Sequence, residues 1–190
     1  GTGSHGRISF GDSGDNNIGY ITYDHGANAM SVVTNASTAM TISSAGEVTK
    51  PLQPAFSVKA NATQSNIGDS TTILFGAETF DIGSNFASDH TFTAPVTGKY
   101  QLNVGIRIDN LDITGDPYHA VTIKTSNRDY YHLTSSNVWD SDANYYFFSI
   151  SVLADMDASD TAYIVYNENC SQADQADVND SSYFSGFLAC

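Results

Sequence analysis

Apolar and polar residues alternate with period two over much of the chain, the spacing that turns one face of an extended strand toward a core. Tyr100, Leu102, Val104, Ile106 and Ile108 fall on one side; Gln101, Asn103, Arg107 and Asp109 fall on the other. So long an alternation predicts a half-buried antiparallel strand. Tyr146, Phe148, Ile150 and Val152 repeat the pattern around Ser149 and Ser151. Tyr145 and Phe147 add apolar side chains on the second face, so that strand is expected to be covered on both sides. Residues 120–125, 162–166 and 183–189 supply further strands. Turn-forming clusters separate them at sandwich-like intervals, and no helical period persists.

Before Lys50 the same alternation comes in shorter pieces. Ile8 and Phe10 alternate with Arg7 and Ser9; Tyr20 to Tyr23, Met30 with Val32, and Met40 with Ile42 follow, and Gly46 ends the series. Pieces this short bury too little surface to close a core within 50 residues. They are expected to borrow neighbours, either stacked repeats or copies of the same chain. Residues 1–50 therefore read as a stalk ordered in an oligomer, 51–54 as a proline linker (Pro51 and Pro54), and 55–190 as a second, all-β domain.

Composition narrows the function. Seven Lys and Arg stand against 21 Asp and Glu, a net charge of −14, which argues against nucleic acid and against an anionic membrane surface as partners. No apolar run reaches the roughly 20 residues needed to span a bilayer, so no membrane insertion is expected. The chain opens with Gly rather than Met and reads as a fragment. The five histidines show no zinc spacing, no Gly-x-Ser-x-Gly nucleophile elbow occurs, and Gly1-x-Gly3-x-x-Gly6 precedes a strand instead of following one. No catalytic residue can be assigned, and the protein reads as a non-enzyme.

Residues 54–190 resemble the globular head of complement component one q and its tumour-necrosis-factor-like relatives. The likeness rests on Ala55-Phe56-Ser57, Ile73-Leu74-Phe75, Gly83-Ser84-Asn85-Phe86, Phe92-Thr93-Ala94-Pro95 with Gly98-Lys99-Tyr100, Val152-Leu153, Asp160, Tyr163-Ile164 and the terminal Tyr183-Phe184-Ser185-Gly186-Phe187-Leu188. Ser159 departs from it, because these heads usually carry Gly before the Asp. The resemblance implies a ten-stranded jelly-roll β-sandwich that assembles as a homotrimer around an apolar axis. Residues 6–50 are similar to bacteriophage tail-fibre and tail-spike shafts, on Gly6-Arg7-Ile8-Ser9-Phe10-Gly11-Asp12-Ser13-Gly14-Asp15, Gly19 to His25, Ser31 to Ala36, Met40-Thr41-Ile42 and Ser44-Ala45-Gly46-Glu47-Val48. Such a shaft implies three chains wound side by side, a short intertwined trimeric β stalk.

In a jelly roll, successive loops alternate between the two ends. Loops 61–70, 109–117, 135–144 and 168–182 then share the end far from the linker, and the 126–130 and 154–160 turns share the other. Receptor-binding candidates in the far loops are Asp112, Asp116, Tyr118, His119, Trp139, Asp174 and Asp177. Aromatic faces stack on sugar rings while carboxylates and amides bind hydroxyls, which fits a glycan. Trp139 reads equally as a plug for the top of a subunit or a trimer seam. Asp140, Asp142 and Asn144 place oxygens at alternate positions, as in the opening of many calcium loops, but Tyr145 and Ser151 stand where Gly and Glu are needed. Calcium is thus a candidate and no other cofactor is expected. Cys170 and Cys190 fall near opposite ends of the last strand segment, too far apart for a disulfide.

The expected function is the non-catalytic tip of a phage tail fibre or similar virion appendage, extracellular, holding a bacterial surface glycan or protein through trimeric avidity. A secreted adhesin or lectin-like module with the same head, and a polysaccharide-degrading tail spike, are the alternatives.

Overall fold

The computed structural model describes residues 3–115, 117–169 and 175–190, and it divides into two compact units, 1–53 and 54–190. The N-terminal unit is one antiparallel meander of β1 (His5–Phe10), β2 (Gly19–Asp24), β3 (Ala29–Thr34), β4 (Ser37–Ile42) and β5 (Val48–Thr49), paired in chain order. Turn formers close its hairpins. The Asp12 carboxylate accepts the backbone N–H groups of Gly14 and Asp15, and Asp24 accepts those of Gly26 and Ala27. The short strands thus find their hydrogen-bonding partners within their own chain. What they do not find is a cover, for Val33 is the unit's only buried apolar residue among those described.

The head contains β6 (Ala55–Lys59), β7 (Gln64–Ile67), β8 (Thr71–Thr72), β9 (Ala77–Ile82), β10 (Phe92–Thr93), β11 (Gly98–Leu111), β12 (Tyr118–Thr125), β13 (Asp129–Ser135), β14 (Ala143–Met156), β15 (Thr161–Glu168), β16 (Ala176–Val178) and β17 (Tyr183–Leu188). Setting aside the two-residue β8 and β10 leaves ten strands, the number that a jelly roll implies. They form two antiparallel sheets. The small sheet runs β10-β15-β12-β13 with β8 beside β15. The large sheet runs β7-β16-β11-β17-β6-β9 with β14 along the other side of β11.

The core lies between the sheets, built from the inward half of each alternation. On β11, Tyr100, Leu102, Val104, Ile106 and Ile108 are all buried, facing Val121 and Ile123 of β12 and Ile164 and Tyr166 of β15 within one cluster. Phe56 stacks on Phe92 with ring centroids 4.6 Å apart and meets Phe184 edge-on at 4.9 Å. Gly186 is required here, because a Cβ would stand 2.7 Å from Leu102 Cδ2 and 2.8 Å from Phe56 Cε1. Both ends of the head chain lie together: Lys99 N–H donates to the Cys190 carbonyl, and Leu188 N–H donates to Pro54.

The second face of β14 departs from expectation. Tyr145 is 67% exposed and Phe147 47%, so within the single chain that face is open, not covered.

Candidate functional site

Two surfaces of the head stand out, one flat and one concave. The flat one is the outer face of the large sheet. Register aligns Phe147 of β14 with Arg107, Ser149 with Gly105, and Leu153 with Gln101 on β11; on β11's other side Tyr183 faces Gly105 and Phe187 faces Gln101. The Phe147 and Tyr183 rings close over Gly105, where a Cβ would meet them at 2.7 and 2.5 Å. Phe80, Leu153, Tyr183 and Phe187 are all exposed on this face, with Tyr145 and Phe147. Between the aromatic rows runs a polar strip that satisfies itself. Gln101 Nε2 donates to Ser151 Oγ (3.0 Å), which donates to Asn103 Oδ1 (2.8 Å). Polar groups already paired can be covered at little cost.

The concave surface is a cavity of about 260 Å³ lined by Asn66, Asn110, Leu111, Asp112, Asp142, Ala143, Asn144, Gln175 and Asp177. Each far-end loop segment expected from the jelly-roll count contributes to it. Asp177 ties two of them, accepting Asn66 N–H at 2.9 Å and Asn110 Nδ2 at 2.8 Å. Asp142 accepts Ile113 N–H at 3.1 Å, and Asp112 accepts Thr114 N–H at 2.7 Å and Gln175 Nε2 at 3.4 Å. The result is a shallow bowl of carboxylate and amide oxygens held in place by backbone and side-chain donors. At the opposite end Asn127 donates to Asp160, which also accepts Asp157 N–H, so the Asp160 carboxylate is occupied locally.

The candidate residues separate on these contacts. Asp112, Asp142, Asn144 and Asp177 line the bowl. Tyr118 is half-buried at the start of β12. Asp140 is exposed and does not line the bowl. Asp116, Asp174 and Cys170 lie outside the described residues, and Cys190 is exposed with a free thiol. His119 corrects the expectation. It is fully buried, and a group shut off from solvent cannot touch a receptor. Its Nδ1 is hydrogen-bonded to the Tyr166 hydroxyl at 2.7 Å, which donates to Glu168 Oε2 at 2.9 Å, a polar trio inside the sandwich. Trp139 packs too: it is half-buried against the core, edge-on to Tyr146 at 5.1 Å and His119 at 5.9 Å. Among the described residues no three His, Cys, Asp or Glu side chains converge to hold a metal ion.

Two antiparallel sheets, a closed aromatic core and a solvent-exposed apolar outer face define a jelly-roll head of the kind used for assembly and binding. The C1q domain matches residues 55–189, most of the chain, and the chain belongs to that family. No curated protein matches it in sequence. Among solved structures, the globular domain of zebrafish complement 1qA superposes with a TM-score of 0.57 at 17% identity, over 73% of this chain and 98% of that one. Eiger TNF from S. frugiperda gives 0.52 at 10% identity, over 73% and 94%. Murine APRIL gives 0.49 at 12%, over 72% and 98%. Heads of the C1q and tumour-necrosis-factor type form homotrimers and are generally non-catalytic binding modules. No helix among the described residues is long and apolar enough to cross a membrane.

Proposed function

We propose that this chain is the trimeric, non-catalytic receptor-binding tip of an extracellular attachment fibre, with 55–190 as the knob and 1–50 as the end of its shaft. The observation that carries the reading is the outer face of the large sheet. Tyr145, Phe147, Leu153, Tyr183, Phe187 and Phe80 leave a run of large apolar side chains in water on a single copy, the kind of surface that marks an interaction site. Three copies closing on that face bury it and set three oxygen-lined bowls at one end. Weak sites multiplied by three give avidity without new contacts.

The bowl suits a carbohydrate or another polyhydroxylated surface group. Its lining offers acceptors on Asp112, Asp142 and Asp177 and both donors and acceptors on Asn66, Asn110, Asn144 and Gln175, the chemistry that hydroxyls need. The resemblance of residues 6–50 to phage tail-fibre shafts supports a virion appendage that carries the knob to a bacterial cell. Purified protein applied to an array of bacterial surface glycans and to whole bacteria tests the reading. Saturable binding, lost in Asp142→Ala and Asn144→Ala while the trimer persists, is the expected result. Binding unaltered by both substitutions, or cleavage of polysaccharide without saturable binding, contradicts it.

A further inference from the structure

The N-terminal meander has two unlike faces. Register places Ile8 beside Ile21, Ile21 beside Val32, and Val32 beside Met40 across four strands. The next row on the same face joins Tyr23, Met30, Ile42 and Val48. With Phe10, these positions carry no charge, and none of them is buried: Ile8 is 63% exposed, Phe10 59%, Val48 56%. The reverse face carries Arg7, Ser9, Thr22, Ser31, Thr41 and Thr49 together with Tyr20 and the buried Val33, with the Arg7 guanidinium 3.6 Å from the Tyr20 ring centroid.

We infer that this apolar face packs against the same face of two other copies, so that three meanders close a three-sided prism with their aliphatic rows turned to the common axis. The proposal rests on the trimeric reading of the head and replaces intertwined strands with packed sheets. Strand exchange is unnecessary because each meander already satisfies its own ladder.

Two observations select a second and third copy as the occupant. The first is area. Four strands of six residues and one of two, about 4.8 Å apart at about 3.3 Å per residue, present a face on the order of 400 Å². That falls short of the roughly 800 Å² per partner of a stable free complex, so the partner must already be held close. A trimeric head does this through residues 50–54, because a short tether raises effective concentration to about millimolar. The second is charge. Positions 1–53 hold two basic and four acidic residues, whereas 54–190 hold five and seventeen, so like-charge repulsion is weak where the sheets would meet.

The test uses the full chain with Cys170→Ser and Cys190→Ser, carrying either Val32→Cys on the apolar face or Ser31→Cys on the polar face, each labelled with pyrene maleimide. Sedimentation is read on the same samples. Pyrene excimer emission from the Val32→Cys protein and none from the Ser31→Cys protein, both sedimenting as trimers, is the expected result. Trimers in which neither position, both positions, or only Ser31→Cys give excimer overturn the prism while leaving the trimeric head standing. Monomers overturn both. Met40→Cys, one strand over on the apolar face, repeats the measurement and is held to the same outcome should labelled Val32→Cys fail to fold.

Discussion

On β11 every inward side chain from Tyr100 to Ile108 is sealed from water; on β1 the equivalent apolar positions, Ile8 and Phe10, stand open. The alternation is of one kind in both regions and each strand finds its backbone partners within the chain. The difference is the second sheet. In the head, the small sheet lies over the large one, and their facing rows make a closed core. Among the described residues of 1–53 a single sheet has nothing of its own to put over its apolar face. Alternation specifies a strand and its sidedness, but burial depends on whether the chain is long enough to fold a second layer. The head itself repeats the lesson on its outer face, where Tyr145 and Phe147 are apolar with no intrachain cover.

Substitutions can break this contrast in order of size. Phe148→Ala removes a fully buried ring and should cost about 3–5 kcal/mol of head stability in a denaturant titration. Phe10→Ala, on the open sheet, should leave that head transition within about 0.5 kcal/mol. On the outer face, Phe147→Asp should weaken assembly by about 2 kcal/mol or more, roughly thirtyfold, with little change in the unfolding of the separated head. Sedimentation across a dilution series reads the first effect and chemical unfolding the second.

A smaller change goes the other way. Ser159 has a φ of +78°, a conformation that costs a residue with a Cβ and not glycine, and Ser159→Gly should raise stability by about 1 kcal/mol.

The smallest effects are electrostatic and separate the two units by pH. Backbone donors of Gly26 and Ala27 hold the Asp24 carboxyl below its ordinary 3.8, and those of Asp15 and Gly14 do the same for Asp12. Their contribution to the meander's turns is therefore full above pH 3.8 and fades as pH falls through the lowered values. In the head, Lys99 is raised above 10.5 by its hydrogen bond to Asp155, so that contribution is full below pH 10.5 and lost as pH climbs past it. Amide protection, the exchange rate referred to the intrinsic rate at each pH, should fall in the 11–17 and 24–28 turns on acidification, and at the Lys99–Asp155 rung on strong alkalinisation. All three groups lie at the surface, so the global unfolding midpoint should barely move.

How much could be seen beforehand follows from the same physics. Period-two alternation marked β11, β14 and the short strands of the meander, because side-chain direction is a property of the extended backbone alone. Loop alternation brought Asp112, Asp142, Asn144 and Asp177 to one end of the sandwich. Asn66, Asn110 and Gln175 escaped notice, because asparagine is abundant here and only the folded register reveals which amides meet; Asn66 and Asn110 both adopt positive φ, at +53° and +58°. His119 misled because its neighbour Tyr118 opens a strand at a loop: one step along a strand reverses the face, and that step carried the imidazole inward. Tyr145 and Phe147 show the limit most clearly, since sequence states that a face is apolar and not which molecule covers it.

Sedimentation equilibrium of the unmodified full chain at micromolar concentration tests the central claim most directly. A single species of three times 20.3 kDa is predicted, one that Phe147→Asp shifts toward the single-chain mass. A stable 20.3 kDa monomer, with its outer sheet face remaining in water, would contradict the account.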